Sequence, residues 1–243
     1  MTGQRLEFFD ASAVLFDLDG VVTPTAEVHM RAWASMFQTL FAQRDVSPAY
    51  TEDDYFQHLD GRPRYEGVAS LLASRGIEVP WGDPDDADEA DTVCGIGNRK
   101  NAVFSALLEQ EGIAAYPGTL AVLDRLSALG IPVAIVSSSK NAVPVLAAAG
   151  LADRFPVVVD GVVASDQGLP GKPRPDIFLE GARRLHAEPA GAVVVEDAIS
   201  GVQAGAAGRF GLVVGVDRGA GADDLLRAGA DVVVGDLADL LKP

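Results

Sequence analysis

This sequence encodes a doubly wound α/β core of parallel strands, with a helical domain inserted after the first strand, and three features point to it. From Pro117 onward, short apolar runs alternate with helical stretches. From about Glu27 to Glu111, apolar residues recur at helical spacing with no convincing strand between them. The runs AVVV and DVVV are apolar at consecutive positions, as in strands covered on both faces.

In chain order, the first strand spans Ala13 to Phe16 (AVLF) and ends in the polar turn DLDG. Helical patterns cover Arg31 to Phe41, Tyr65 to Ser74 and Asn101 to Glu111. The alternating half then gives helix Leu120 to Leu129, strand Pro132 to Val136, helix Ala142 to Ala149, strand Val157 to Val159 and helix Asp176 to His186. Strand Ala192 to Val195, helix Gly201 to Ala207, strand Leu212 to Val216, helix Asp223 to Ala228 and strand Asp231 to Val234 complete it. Residues 1–26 and 115–243 are therefore expected to form a Rossmann-like core, and residues 27–114 a helical cap.

The 243 residues, 48% of them hydrophobic, suffice for a substantial core. Lys plus Arg number 19 against 35 Asp plus Glu, a net charge of −16, which repels nucleic acid and anionic membrane surfaces. No window approaches the roughly 18 apolar residues of a membrane span, and the N-terminus lacks the basic-then-apolar layout of a signal peptide. A cytoplasmic monomer or weak oligomer is expected. The single cysteine, Cys94, excludes a disulfide framework and a CxxC site, and is expected to be a small buried hydrophobe. DPDDADEAD (Asp83 to Asp91) has Asp88 where a calcium loop needs Gly, so it is expected to be a solvated acidic loop. SGVQAGAAG is expected to pack a helix closely on the sheet, because no phosphate-loop pattern accompanies it.

An anionic substrate would need local positive charge, and the strand ends offer chemistry. Asp17 and Asp19 follow the first strand two residues apart, which puts both carboxylates on one face of an extended chain. DLDG alone is also an ordinary turn signal. Glu196 and Asp197 end a second apolar strand (AVVVED) in the same way; the bland alternative, against which the paired placement argues, is that Glu196 caps the next helix and Asp197 is solvated. Four carboxylates at one sheet edge repel one another unless a hard cation such as Mg²⁺ neutralises them. Ser137 to Lys140 (SSSK) follow another strand, and Lys172 stands in GKPRP before a helix. Both suit phosphoryl oxygens, while a capping serine and a solvated lysine are the plainer readings.

The ordered segments DLDGVVTPTAEVH, VSSSKN, GKPRPDIF and VVEDAISG resemble the four motifs of the haloacid dehalogenase superfamily, spread over nearly the whole chain. FDLDGVVTPTAEVHMRAW, LDGRPR, GNRKN and SSSKN are similar to its β-phosphoglucomutase branch. The resemblance implies that Asp17 is a nucleophile forming an aspartyl-phosphate and Asp19 a general acid and base. It implies Mg²⁺ held by Asp17, the carbonyl of Asp19 and Asp197, with Glu196 in or next to that set, and a phosphoryl group bound by Ser137 and Lys172. In the cap it implies that Gly61, Arg62 and Arg64 contact the phosphate that is not transferred, and on the core side that Ser139, Lys140 and Asn141 contact the sugar phosphate. Thr25 and His29 fall in the hinge. For His29, plain packing and a part in proton transfer or cap closure both stand. Asp60 and Pro24 depart from the family pattern, where a lysine and a polar residue are usual. Arg99, Lys100 and Asn101 resemble cap residues, with solvent exposure the default for the two cations. The implied reaction is conversion of β-glucose 1-phosphate to glucose 6-phosphate. A phosphatase of small phosphate esters and a non-catalytic phosphate-binding module are the alternatives.

Overall fold

The computed structural model describes residues 6–242. Two compact units make up the chain, one of the residues up to Pro24 and from Ile113 onward, the other of Thr25–Gly112. After strand β1 (Ala13–Phe16) comes the helical unit, with α1 (Thr25–Gln43), α2 (Glu52–Asp54), a π-helical turn at Tyr55–Leu59, α3 (Arg64–Ser74) and α4 (Val93–Glu111). The rest of the core follows as α5 (Pro117–Leu129), β2 (Val133–Val136), α6 (Ala142–Ala148), β3 (Val157–Val159), α7 (Gly161–Gln167) and α8 (Asp176–Arg184). It ends with β4 (Ala192–Glu196), α9 (Ile199–Ala207), β5 (Leu212–Val216), α10 (Ala222–Ala228) and β6 (Val232–Val234).

Among the described residues, six strands form one parallel sheet in the order β3-β2-β1-β4-β5-β6. The chain builds outward from β1 through β2 to β3, then returns to the other side of β1 with β4. The order therefore reverses between β1 and β4, and the crevice beyond the carboxyl ends of those two strands is where open α/β sheets bind ligands. Alternate strand residues serve opposite faces. Ala13, Leu15, Ala134, Val136, Ala192 and Val194 pack with Ile177 and Phe178 of α8 and Val202 of α9. Their neighbours Val14, Phe16, Ile135, Val193 and Val195 are fully buried as well, so the central strands are covered on both sides. Each large side chain so buried contributes about 1.5–3 kcal/mol relative to exposure.

The run DVVV differs from expectation. β6 is an edge strand and all three of its valines are only half-buried, because among the described residues no strand lies beyond them. α7, absent from the sequence pattern, is capped by Asp160, whose Oδ1 accepts from the amides of Val162 and Val163 at 3.0 and 2.9 Å. The helical turns over residues 52–59 lie inside the helical stretch expected from about Glu27 to Glu111, without having been delimited there. Thr51 opens them through a reciprocal cap with Asp54.

In the helical unit, Trp33, Met36, Phe37, Leu40 and Phe41 of α1 line one face and pack with Tyr50, Leu59, Leu71 and Ile96. Cys94 is buried. The acidic run is largely exposed, as expected, but it is also built into a cap. The Asp86 carboxylate accepts from Thr92 Oγ1 at 2.6 Å, and Thr92 Oγ1 in turn accepts from the Gly95 amide at the start of α4. Among the described residues, no helix is long and apolar enough to cross a membrane.

Candidate active site

The parallel register of β1 and β4 pairs Phe16 with Val195, and the Asp17 amide donates to the Val195 carbonyl at 2.9 Å. Asp17 therefore emerges beside Glu196 and Asp197 although about 180 residues of chain separate them. β2, on the other side of β1, delivers Ser137 to the same edge, with its amide bonded to the Val159 carbonyl at 3.0 Å. Asp17, Ser137, Glu196 and Asp197 are buried, and Asp19 is half-buried.

Lys172 ties these strand ends together. Its Nζ donates to Asp17 Oδ1 at 2.5 Å, to Glu196 Oε1 at 2.5 Å and to the Val136 carbonyl at 3.2 Å, above the Phe178 ring. Burial pushes the Asp17 carboxyl well above the usual carboxylate range; Lys172 pulls it down, and Glu196 and Asp19 push it further up. Burial also works against the Lys172 charge, but the two paired carboxylates outweigh it and hold the ammonium above the ordinary lysine range. The site thus keeps one fixed ammonium among several carboxylates, with a surplus of negative charge.

Glu196 is held from a second side. Its Oε2 accepts from the Ala198 amide at 2.9 Å, and Gly201 of α9 lies so close that a Cβ there would fall 1.8 Å from Glu196 Oε1. A Cβ on Gly205, one turn on, would lie 3.1 and 3.2 Å from the Val194 and Val213 side chains. The small-residue helix packs closely on the sheet, as its sequence indicates, and one of its glycines makes room for a carboxylate of the site. Sequence reasoning missed Gly201 as a site residue; its place five residues after Glu196 was the available signal.

The 137–141 loop is a pair of tight turns. Ser137 Oγ accepts from the Ser139 amide at 3.0 Å and Ser139 Oγ from the Asn141 amide at 3.1 Å, with α6 following directly. Gly161, the first residue of α7, passes so near that a Cβ would meet the Ser138 carbonyl at 2.7 Å. Lys140 and Asn141 are half-buried at the end of this loop.

Thr25, His29, Gly61, Arg62 and Arg64 belong to the helical unit. Thr25 is the buried first residue of α1. Gly61 and Arg62 form the turn between the π-helical segment and α3, where the Arg62 amide donates to the Leu59 carbonyl at 3.2 Å. Arg64 opens α3, and its Nη2 donates to Asn101 Oδ1 at 2.7 Å. Burial lowers the pKa of its guanidinium, against the raising effect of Tyr65. Lys100 is not exposed, as its residue type suggests, but 2% exposed. Its ammonium lies 4.8 Å from the ring centres of both Trp33 and Phe104 and bonds His29 Nδ1, while the His29 ring stacks on Phe104 at 4.0 Å. Phe104 stands one turn further along α4, and Trp33 and His29, supplied by the distant α1, are what the default for lysine leaves out. His29 is thus packed. Arg99 is half-buried and donates to the Asp88 carbonyl at 2.7 Å.

The oxygen-only donor set and the surplus of carboxylates fit a hard divalent cation. Among the described residues, no three His, Cys, Asp or Glu side chains are grouped so as to hold a metal by themselves. A cation here would take part of its coordination from phosphate and water oxygens, as Mg²⁺ commonly does.

A parallel α/β core with an inserted helical unit and acidic residues at its topological switch point has the frame of an α/β enzyme with its ligand site at that edge, and the comparisons give the class. The haloacid dehalogenase-like hydrolase family model matches residues 11–209, and the chain belongs to that family. Within it, the chain is 48% identical over 239 residues to a β-phosphoglucomutase of Mycobacterium bovis, covering 94% of this chain and 91% of that one. A β-phosphoglucomutase of Bacillus subtilis is 34% identical over 232 residues, covering 94% and 91% of the two chains. The crystal structure of β-phosphoglucomutase from Clostridium difficile superposes with a TM-score of 0.76 at 25% identity, covering 95% of this chain and 93% of that one. The chain is a β-phosphoglucomutase-like member of the family, and an enzyme of the phosphotransferase or phosphatase kind.

Proposed function

We propose that this chain moves a phosphoryl group between positions of a sugar phosphate through Asp17, converting β-glucose 1-phosphate to glucose 6-phosphate. The observation that carries this reading is the Lys172 ammonium held 2.5 Å from both Asp17 and Glu196 at the β1/β4 switch point. It sets a buried carboxylate nucleophile beside a fixed positive charge.

In each transfer to the enzyme, a carboxylate oxygen of Asp17 attacks phosphorus, the bond to the leaving oxygen breaks, and the Asp19 carboxyl gives that oxygen its proton. In the return, the attacking hydroxyl loses its proton to the Asp19 carboxylate as the phosphoryl group leaves Asp17. Turnover starts from phosphorylated Asp17: its phosphoryl group passes to the 6-hydroxyl of the sugar 1-phosphate to give the bisphosphate, and Asp17 then takes the 1-phosphoryl group, which releases the 6-phosphate and regenerates the phosphorylated enzyme. Lys172 Nζ and Ser137 Oγ hold the phosphoryl oxygens during both, since phosphoryl transfer depends on positioning and charge stabilisation. Mg²⁺, when bound by Asp17, the Asp19 carbonyl and Asp197 with Glu196 nearby, would stabilise charge on those oxygens. Arg64, with Gly61 and Arg62, binds the phosphate that is not transferred, for which a guanidinium fork is suited. Ser139, Lys140 and Asn141 contact the sugar phosphate, and Thr25 and His29 act in the hinge.

The test is incubation with β-glucose 1-phosphate, Mg²⁺ and a trace of the bisphosphate. Glucose 6-phosphate should form, and a chelator should stop it. Inorganic phosphate as the sole product would instead make the enzyme a phosphatase that uses the same residues with water as acceptor.

A further inference from the structure

The turn that carries Asp19 is held by an unusually complete set of bonds to its carbonyls. The Leu18 carbonyl accepts from the Val22 and Thr23 amides at 2.9 and 3.0 Å, and the Thr23 carbonyl accepts from the Gly20 amide at 2.8 Å. Thr119 Oγ1 donates to the Val21 carbonyl at 2.8 Å, and the Tyr116 amide donates to the Val22 carbonyl at 3.1 Å. The Gly20 carbonyl, next in line after Asp19, accepts from Arg218 Nε at 2.9 Å, across 198 residues of sequence.

Arg218 is itself fixed. It stands just past β5, on the same sheet edge as Asp17 and Glu196, and its Nη1 donates to the Gly235 carbonyl just past β6 at 3.0 Å. Its guanidinium carbon lies 4.0 Å from the centre of the Tyr116 ring, the residue whose amide holds Val22. Nη2 has no hydrogen-bond partner and faces Asp236 Oδ2 at 3.9 Å. One planar group thereby joins the ends of β5 and β6 to the turn after β1, with the aromatic ring as its backing. A lysine could supply one of these bonds but not the fork or the flat stacking face.

We propose that Arg218 is a positioning residue for Asp19, acting through the Gly20 carbonyl and never touching the substrate. The role rests on the phosphoryl-transfer reading above, in which Asp19 supplies the leaving oxygen with its proton. A general acid is effective only when held within hydrogen-bond reach of that oxygen. Loosening the turn therefore slows transfer to Asp17 from esters whose leaving oxygen needs a proton and spares that step for those whose leaving group departs as an anion, while the return step, which uses Asp19 as base, slows for both.

The test compares wild type with Arg218→Met, which keeps an apolar stem over Tyr116, on a sugar phosphate and on p-nitrophenyl phosphate. In single-turnover measurements, which read the transfer to Asp17 alone, the rate on the sugar phosphate should fall on the order of 10–100-fold, part of the full worth of a general acid, while the burst of p-nitrophenol from the aryl ester loses little. Arg218→Lys should recover part of the loss. Hydrogen exchange of the Gly20, Val22 and Thr23 amides should quicken in Arg218→Met with the rest of the core unchanged. Equal losses on both esters, or unchanged exchange in the turn, would overturn the positioning role. A wild type that turns over neither ester would remove the phosphoryl-transfer reading instead, and the exchange measurement would still decide whether Arg218 holds the turn.

Discussion

Lys172 and Glu196 have fully buried side chains, and Asp17 is nearly so, which makes the charge balance among them unforgiving. Removing one member of such a set leaves the others unpaired in a medium that solvates them poorly. A gentler disturbance is more informative. Gly201→Ala drives a methyl group into the Glu196 carboxylate without removing any charge. The overpacking should cost about 1–3 kcal/mol, and the displaced Glu196 should shift Lys172 off Asp17. Turnover at saturating substrate is expected to fall at least on the order of tenfold beyond what lost stability explains, because positioning supplies much of the rate in phosphoryl transfer. Urea unfolding and steady-state kinetics on the same preparation check both parts. A fully active Gly201→Ala would show that Glu196 need not be held. At this scale the acidic pairs were legible because each follows an apolar strand directly, which fixes where the carboxylates emerge. Gly201, Lys100 and Arg218 were not, since what matters in each is a neighbour from another element.

Two elements owe their stability to ion pairs that differ in burial. In the helical unit, Arg75 Nη2 bonds both carboxylate oxygens of Asp54 at 2.7 and 2.6 Å, and Asp54 also accepts from the Thr51 amide at 2.8 Å to open α2. Burial alone would raise the Asp54 carboxyl, but these bonds from Arg75 and Thr51 carry it below its usual range. Arg75→Met strands a buried carboxylate and should destabilise by about 3 kcal/mol. Thermal unfolding measures it, and a change below about 1 kcal/mol, the worth of a surface pair, would contradict the assignment. In the core, Arg183 and Arg184 bond the Glu180 carboxylate of α8 and pull it from 4.5 to about 2. Because the folded value is the lower one, the stabilisation is complete above about 4.5 and disappears as pH falls through about 2. Glu180→Gln should cost on the order of 1 kcal/mol at neutral pH, reduced by screening at the exposed Arg183, and progressively less as pH falls from about 4.5 through about 2. Urea midpoints across that window test it, and a gap that stays constant with pH would contradict it. The helices missed from sequence were too short for periodicity to reveal. α7 has only seven residues, yet its Asp160 cap and Gly168 stop, at a φ of 64°, were there to be read.

Over the whole molecule, what was legible was the alternation of strand and helix after Pro117 and the long helical interruption before it, because both depend on patterns repeated many times. Strand order was less so. The run DVVV looks like a central strand, and only its position at the end of the sheet leaves it half-buried. The placement of β1 between β2 and β4 is the feature on which the proposed function turns, since it brings Asp17, Ser137 and Glu196 to one edge. The most direct test of the account is to ask where a phosphoryl group goes. Wild-type protein incubated with β-glucose 1-phosphate or the bisphosphate in the presence of Mg²⁺, quenched in acid and digested, should yield one peptide heavier by a phosphoryl group and mapping to Asp17, lost in Asp17→Asn along with turnover. A phosphoryl group on any other residue, or undiminished turnover by Asp17→Asn, would contradict it.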